Sequence, residues 1–164
     1  MTYRFETVWT ACTPALSEEI IAFWTGENAL PAGENALDRS KQTVIVTRDG
    51  DGRIVGTATA YLRTVPRLGQ PMYYYRMYCN ANHRGQRTGF EMLQLSQSVL
   101  CDYSKSKDAS NAIGIILEVE NTMYTGRYPQ AAWPLGFNFI GYSPRRLPLY
   151  AYYFPEAKLL PPIG

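Results

Sequence analysis

Charged residues, histidine and cysteine are all scarce in this sequence of 164 residues. Only 18% of the residues are charged, against roughly 25% in an average globular protein. The net charge of +2 is too small to indicate a dedicated nucleic-acid-binding or membrane-surface protein. One histidine and three widely spaced cysteines, Cys12, Cys79 and Cys101, indicate neither a metal site nor a disulfide framework. We therefore expect reduced thiols, as in a cytoplasmic protein, and no metal.

Long apolar runs are absent as well. No stretch approaches the roughly 18 apolar residues of a membrane span, and residues 1–6 lack the basic and apolar regions of a secretory signal. These absences favour a cytoplasmic location and no membrane partner. Apolar residues nevertheless make up 46% of the chain, which excludes wholesale disorder. The length fits a single domain, so we expect one domain over residues 1–164, with a proline-rich tail at 155–164.

Hydrophobic periodicity predicts a mixed order of strands and helices. The predicted elements are a strand at 3–10, a helix opened by Ser17, a loop or short broken helix at 26–38, three strands beginning at residues 43, 54 and 72, a helix at 90–103, a strand at 112–119, a weaker helix at 123–133, and strands at 137–142 and 149–154. The continuous apolar run at 112–119 is typical of a strand buried on both faces, as in parallel pairing. The fold class is therefore α+β: a mixed, mostly antiparallel sheet with one parallel strand pair, flanked by helices.

The most informative segment is the polar turn between the strand that ends at Cys79 and the next helix. Where a loop opens a helix, several main-chain N–H groups point in one direction, and the helix dipole favours an anion there. Gly85 and Gly89 permit close backbone approach, and Arg84 and Arg87 add positive charge. The segment is either a phosphate-binding turn or an ordinary strand-to-helix turn with solvated arginines. It matches neither a Walker loop nor a dinucleotide-binding fingerprint.

Two motifs in this order resemble those of a known family. Arg84-Gly85-Gln86-Arg87-Thr88-Gly89, after a strand and opening a helix, resembles the coenzyme A pyrophosphate motif R/Q-x-x-G-x-G/A of the GCN5-related N-acetyltransferase (GNAT) family. Trp133-Pro134-Leu135-Gly136-Phe137, followed by Gly141-Tyr142, is similar to that family's Y-x-K-x-G-F…G ending. The resemblance covers residues 3–154. It implies a GNAT-like fold, in which the parallel strand pair splays apart, and acetyl-CoA or another acyl-CoA as co-substrate.

The resemblance also implies roles for individual residues. The residues whose main-chain N–H groups would hold the pyrophosphate, beside the guanidinium of Arg84, are Gly85, Gln86, Arg87, Thr88, Gly89 and Phe90. The strand end Met77-Tyr78-Cys79 would hydrogen-bond the pantetheine arm through its main chain. One N–H group there would polarise the thioester carbonyl. Asn121 matches a position whose side-chain amide often contacts the arm.

Two positions depart from the family's pattern. The family usually has glycine at the position of Arg87, where a side chain costs about 1–2 kcal/mol if φ is positive. If this residue is helical instead, Arg87 loses nothing and can reach a phosphate of the cofactor. At the position of Ala132 the family often has a tyrosine that protonates the leaving thiolate. Tyr124, Tyr128 or water would take that role in this chain.

Direct attack of an amine on a thioester requires proximity, a deprotonated amine and a polarised carbonyl. The candidate bases are Glu118 and Glu120, which share one face at the end of the strand at 112–119. Partial desolvation there would raise the pKa of such a carboxylate. The alternative is that both side chains simply face solvent. His83 is better explained as an exposed turn residue than as a base, and Cys79 as a core residue than as a nucleophile.

The sequence thus predicts an N-acetyltransferase that moves an acetyl group from acetyl-CoA to a primary amine of a small molecule or a protein. The alternative is a catalytically weakened acyl-CoA-binding or interaction module of the same fold, which the departures at Arg87 and Ala132 keep open. Nucleic acid is not favoured as a partner because the sequence shows no basic stripe. A homodimer stays open.

Overall fold

The computed structural model describes residues 2–85, 87–121 and 126–162. Its strands are β1 (Arg4–Thr7), β2 (Thr43–Arg48), β3 (Ile54–Val65), β4 (Gln70–Cys79), β5 (Gly114–Glu118), β6 (Asn138–Tyr142) and β7 (Pro148–Tyr153). The α-helices are α1 (Pro14–Gly26), α2 (Ala36–Lys41) and α3 (Thr88–Ser104), and short 3₁₀ helices span Ala81–His83 and Pro134–Gly136. No helix among the described residues is long and apolar enough to cross a membrane.

The strands form one mixed sheet in the order β1-β2-β3-β4-β5-β7-β6. β1 lies at an edge of the sheet. β4 and β5 pair in parallel, from Tyr73 opposite Ile115 to Tyr75 opposite Leu117, whereas the β1–β2, β2–β3, β5–β7 and β6–β7 pairs are antiparallel. The parallel pairing is short, and β4 continues beyond it to Cys79. The predicted α+β fold with one parallel strand pair is confirmed.

The chain divides into two compact units. The first contains Met1–Ala60 and Arg76–Leu100. Its core packs Ile20 and Trp24 of α1 against Val8, Val46 and Ile54. The indole Nε1 of Trp24, which is fully buried, donates a hydrogen bond of 2.9 Å to Thr57 Oγ1 on β3. Burial of this large ring and satisfaction of its one polar atom together hold α1 on the sheet.

The predicted start of α1 at Ser17 is wrong. The helix begins at Pro14, and Thr13 caps it by accepting a 3.2 Å hydrogen bond from the Leu16 amide. Thr13-Pro14 is the stronger start signal, because proline at the first helical position lacks only an N–H that the helix would leave unpaired. Ser17 is instead buried inside the helix, where its hydroxyl contacts that of Ser40 in α2.

The second unit contains Tyr61–Tyr75 and Cys101–Gly164. Met72, Ile116 and Ala151, from β4, β5 and β7, are buried in its core. The proline-rich tail is tied to this unit, because Gln70 donates from Nε2 to the Leu160 carbonyl and accepts at Oε1 from the Leu160 amide, each at 2.9 Å. The tail therefore wraps the surface as far as that residue.

The weaker helix predicted at 123–133 is wrong for the described residues from 128 onward. Ala132 forms an isolated antiparallel bridge with Asn138, and the Trp133 amide donates to the Phe137 carbonyl at 2.7 Å. Pro129 disfavours helical backbone at the residue before it and has no N–H to donate, so a helix does not continue through this position. The segment therefore turns directly into β6.

Gly114 is expected to tolerate no side chain. A Cβ there would lie 2.0 Å from the Tyr152 carbonyl oxygen of the paired strand, whereas a Cβ at Gly56 would meet the flexible end of Met92 at 3.0 Å. We expect Gly114→Ala to lower the free energy of unfolding by about 3 kcal/mol or more and Gly56→Ala by about 1 kcal/mol. Urea denaturation measures both. Equal losses would contradict the close β5–β7 approach.

Candidate functional site

The turn after β4 belongs to the first unit and is anchored at its start by Asn80. The Asn80 amide donates to the Val55 carbonyl at 2.8 Å, and its side-chain Oδ1 accepts from the Asn82 amide at 2.9 Å. The 3₁₀ helix Ala81–His83 follows, and α3 begins at Thr88. The sequence thus folds here as a strand, a short polar turn and a helix, as predicted.

Side chains brace this turn from within. Thr88 Oγ1 donates to the His83 carbonyl at 3.1 Å and lies 3.4 Å from Cys79 Sγ. Arg84 Nε donates to the Cys79 carbonyl at 2.9 Å, and its guanidinium lies over the ring of Tyr78. His83 is fixed in turn by a 3.0 Å hydrogen bond between its Nδ1 and the hydroxyl of Tyr3. The start of the turn is closed by main-chain bonds from the His83 amide to the Asn80 carbonyl and from the Arg84 amide to the Ala81 carbonyl. From Arg84 onward the side-chain bonds hold the turn, and the main-chain amides take no part.

Several amides of the turn are consequently left unpaired. Within the part of the chain that the structure describes, the N–H groups of Gly85, Arg87, Thr88 and Gly89 donate to no acceptor. They stand at the N-terminal end of α3, where the helix dipole is positive. Arg84 and Arg87 are both exposed beside them. An anion such as a phosphate would satisfy these donors; Gln86 lies outside the described residues.

Arg87 adopts the left-handed conformation, with φ of 62°, and Gly85 has φ of 79°. Of the two conformations weighed for Arg87, the structure has the one that strains a side chain, by about 1–2 kcal/mol. The carbonyl of Arg87 accepts from the Glu91 amide at 3.0 Å, so the residue closes the first turn of α3.

The strand end Met77-Tyr78-Cys79, which precedes the turn, is only partly exposed. Met77 is exposed, Tyr78 is half-buried and Cys79 is buried. The carbonyl of Cys79 already accepts from Arg84. Burial raises the pKa of the Cys79 thiol above its ordinary value, so the thiol is neutral and belongs to the core rather than acting as a nucleophile.

Glu27 is a residue of this region that the sequence did not reveal. It follows α1, and its Oε1 accepts from Asn80 Nδ2 at 2.6 Å while its Oε2 accepts from the Tyr78 hydroxyl at 3.2 Å. Burial, followed by this bond to Glu27, raises the pKa of Tyr78. A lone glutamate after a helix carries no pattern, so only the fold could place it beside the turn.

The two predicted bases lie in the second unit and share one partner. Arg145 pairs with both Glu118 and Glu120, and its Nη2 contacts Glu120 Oε1 at 2.5 Å. Glu118 also accepts a 2.5 Å hydrogen bond from the Tyr74 hydroxyl. The side chain of Glu118 is 9% exposed and that of Glu120 is 69% exposed. The carboxylates therefore lie together, as expected, but neither is free.

The expectation of a raised pKa is wrong for Glu118. Burial raises the pKa of this carboxyl, but the hydrogen bond from Tyr74 and the guanidinium of Arg145 outweigh it, so the pKa lies below the ordinary value. Burial and the bond to Glu118 raise the pKa of Tyr74 in turn. The sequence showed neither of these donors beside Glu118, since both are distant along the chain.

The remaining candidates are placed as follows. Tyr124 lies outside the described residues, and Asn121 is exposed at the end of the segment that follows β5. Tyr128 is 47% exposed, and its carbonyl accepts from Trp133 Nε1 at 3.1 Å. No group of three or more His, Cys, Asp or Glu side chains that could hold a metal occurs in the described part of the chain.

The left-handed backbone at Arg87 predicts a difference between two substitutions. Arg87→Gly should be about 1 kcal/mol more stable than Arg87→Ala, because only alanine keeps a Cβ in this conformation. Urea denaturation of the two variants measures the difference. Arg84, with φ of −71°, is the matched control, and there glycine should be no more stable than alanine. Equal stabilities at both positions would contradict the conformation of Arg87.

The lowered pKa of Glu118 predicts a pH-dependent stability. A carboxyl with a lower pKa in the folded state stabilises the protein above its unfolded value of about 4.5, and this contribution is lost as pH falls through the folded pKa. The difference in unfolding free energy between the wild type and Glu118→Gln should therefore shrink below about pH 4.5. Urea denaturation from pH 7 to 3 measures it. Glu120→Gln is the exposed control, with a smaller change; a gap that widens on acidification would refute the assignment.

Comparison of the sequence with protein-family models and with curated proteins found no match. The structure, however, is similar to solved acetyltransferases. The GNAT-family acetyltransferase from Staphylococcus aureus Mu50 is 15% identical, with 93% of this chain and 99% of that chain covered and a TM-score of 0.56.

Two further solved structures carry ligands. Phosphinothricin acetyltransferase from Sinorhizobium meliloti, in complex with AcCoA, is 14% identical, with 99% of this chain and 94% of that chain covered and a TM-score of 0.56. Arabidopsis thaliana Naa50, in complex with a bisubstrate analogue, is 18% identical, with 94% and 100% covered and a TM-score of 0.58. The resemblance inferred from the two motifs is thereby confirmed at the level of the fold: the chain has the fold of the GNAT acetyltransferases.

Proposed function

We propose that this chain is an acetyl-CoA-dependent N-acetyltransferase that transfers an acetyl group to a primary amine. The observation that carries the proposal is the set of unpaired amides at Gly85, Arg87, Thr88 and Gly89, beside two exposed arginines at the start of α3. The fold adds support, because solved structures that share it hold AcCoA or a CoA-containing bisubstrate analogue.

The turn is suited to a diphosphate for a physical reason. Side chains of Arg84 and Thr88 already hold its shape, so little conformational freedom remains to be lost when an anion binds. The four amides would donate to phosphate oxygens, and the helix dipole would add to the attraction. Gln86 and Phe90, assigned to the same cradle from the sequence, keep that role in the proposal.

The chemistry requires little of the protein. The lone pair of a neutral amine attacks the thioester carbonyl carbon, and the C–N bond forms while an oxyanion develops. A main-chain N–H group of Met77-Tyr78-Cys79 would stabilise that oxyanion. The C–S bond then breaks, the CoA thiolate leaves, and the nitrogen loses its extra proton. Asn121 would contact the pantetheine arm, and Tyr128 or Tyr124 would protonate the thiolate.

In the proposed reaction Glu118 and Glu120 are carboxylates paired with Arg145 rather than bases. Because its pKa is lowered, Glu118 is a weaker base than the sequence predicted. Water would accept the amine proton instead. Glu118 and Glu120 share the guanidinium of Arg145, and the guanidinium of Arg63 lies 5.3 Å from the ring centroid of Tyr74, whose hydroxyl bonds Glu118. Two carboxylates and two guanidinium groups therefore lie in this cluster, so its charge favours neither a small-molecule amine nor a peptide amine as acceptor.

The second candidate is an acyl-CoA-binding module that has lost catalysis. It is favoured by two observations: the carboxylates are engaged by Arg145, and Ala132, at the position of the family's usual acid, carries no proton donor. The two functions share the same CoA site. They differ only in whether a thiol is released.

A ligand-binding experiment tests the CoA site. Acetyl-CoA or CoA at 100 times its Kd should stabilise the protein by about 2.7 kcal/mol, which thermal unfolding detects. Gly89→Trp should abolish this stabilisation, because an indole would fill the cradle. Gly50→Trp, in an exposed hairpin turn with nothing within 4 Å of a Cβ, is the control and should keep it.

Thiol release from acetyl-CoA against a panel of primary amines separates the two candidates. Release with any amine supports the transferase. Binding without release across the panel supports the module. Absence of any ligand-induced stabilisation in the wild type would contradict both.

A further inference from the structure

Asn80, which follows β4 and opens the turn, has all four of its polar groups bonded. Its amide donates to the Val55 carbonyl at 2.8 Å, and its carbonyl accepts from the His83 amide at 2.9 Å. Its side-chain Oδ1 accepts from the Asn82 amide at 2.9 Å, and its Nδ2 donates to Glu27 Oε1 at 2.6 Å. Three of these bonds lie within the sheet and the turn, and the fourth joins the turn to the residue that follows α1.

Glu27 fixes the orientation of the Asn80 side chain. Because Oδ1 faces the Asn82 amide, the Nδ2 donor must face Glu27, and an amide nitrogen cannot accept a hydrogen bond. Only an acceptor at position 27 satisfies it. Without that acceptor, this half-buried donor either stays unpaired, which costs free energy, or rotates and releases the Asn82 amide.

Glu27 is itself held in place by the end of α1. Its main-chain N–H donates to the Phe23 carbonyl at 3.0 Å and caps the helix. The Phe23 ring packs edge-on against the ring of Tyr78, with centroids 5.9 Å apart, and the Tyr78 hydroxyl donates to Glu27 Oε2. The carboxylate therefore has a fixed position relative to both α1 and β4.

The negative charge of Glu27 does not explain its place here. A carboxylate close to an anion-binding turn repels a phosphate. In the part of the chain that the structure describes, no cation forms an ion pair with Glu27. Its contribution therefore lies in the two hydrogen bonds that it accepts.

His83 connects Asn80 to the unpaired amides at the start of α3. The His83 amide donates to the Asn80 carbonyl, and the His83 carbonyl accepts from Thr88 Oγ1 at 3.1 Å. Thr88 carries one of the unpaired amides. A displaced Asn80 would thus shift the amides that face a bound anion.

We propose that Glu27 is a positioning residue of the diphosphate site: by holding Asn80, it sets the direction in which the unpaired amides of the turn point. The proposal rests on the proposed function, since it takes the turn as the site of the diphosphate. It makes the affinity for CoA depend on the segment after α1, which the motif at 84–89 does not include.

Two kinds of substitution at Glu27 test the proposal, with the Kd for CoA measured by isothermal titration calorimetry. Glu27→Ala and Glu27→Met both remove the acceptor, and each should weaken CoA binding about tenfold. Glu27→Gln should stay within about threefold of the wild type, because its side-chain oxygen can still accept from Asn80 Nδ2. Asn35→Ala is the control: it removes the 3.0 Å cap of α2, away from the turn, and should leave the Kd within about twofold.

A double-mutant cycle tests whether Glu27 acts through Asn80. Asn80→Ala should weaken CoA binding about as much as Glu27→Ala. Adding Glu27→Ala to Asn80→Ala should change the Kd by less than about twofold, since the bond between them is already lost.

The amide resonances give a measurement that a purely structural bond would not change. In CoA-saturated Glu27→Ala, the amide protons of the turn should shift less far downfield than in the wild type, and Glu27→Gln should restore the shift. These protons belong to Gly85, Arg87, Thr88 and Gly89. A bond that only stabilises the fold would lower the free energy of unfolding and leave these positions unchanged.

Contrary results are distinct from one another. Wild-type affinity for CoA in Glu27→Ala and Glu27→Met would overturn the proposal. Tighter binding in all three Glu27 variants would show that the carboxylate acts by its charge alone, and fully additive losses in the cycle would show that it does not act through Asn80; either result overturns the proposal. If the wild type bound no CoA, the proposed function itself would fail.

Discussion

Side-chain hydrogen bonds hold the second half of the turn after β4 and leave its main-chain amides from Gly85 onward unpaired. Arg84 satisfies the Cys79 carbonyl and Thr88 satisfies the His83 carbonyl, so the N–H groups from Gly85 to Gly89 that the structure describes have no internal acceptor. Unpaired donors at a helix N-terminus attract an anion without any dedicated basic pocket. The proposed diphosphate site therefore needs no large net charge, and that of the chain is only +2, since its donors are main-chain amides.

The two units make different contributions. In the first, α1 and its buried Trp24 fix the sheet from which the turn emerges, and Glu27 links the segment after α1 to the strand end at Tyr78 and Asn80. In the second, one guanidinium shared by Glu118 and Glu120 lowers rather than raises the basicity of the more buried carboxylate. Glu118 is therefore a weaker base than an isolated glutamate.

Most elements of the fold could be predicted because each follows from local periodicity. The apolar run at 112–119 indicated a buried parallel strand, and β5 pairs in parallel with β4. Predictions were wrong where a stronger local signal stood nearby, or where the sequence contained no pattern for the feature. Thr13-Pro14 was a stronger helix start than Ser17, and the predicted helix at 123–133 is interrupted at Pro129, since the described residues from 128 to 133 are not helical.

The sequence predicted the backbone structure of the candidate site but not which side chains pair with one another there. Gly85 and Gly89 indicated a turn that permits close backbone approach, and the apolar spacing after them indicated a helix. The partners of Glu118 come from Tyr74 and Arg145, which only the sheet brings near. The conformation of Arg87 depends on how the turn closes, which no spacing encodes.

The most direct test of the account observes the amides themselves. In a ¹H–¹⁵N correlation spectrum, titration with CoA should shift the amide protons of Gly85, Arg87, Thr88 and Gly89 strongly downfield, as expected for new hydrogen bonds to phosphate. Saturation with CoA that leaves these four resonances in place and moves others would contradict the claim that this turn binds the diphosphate.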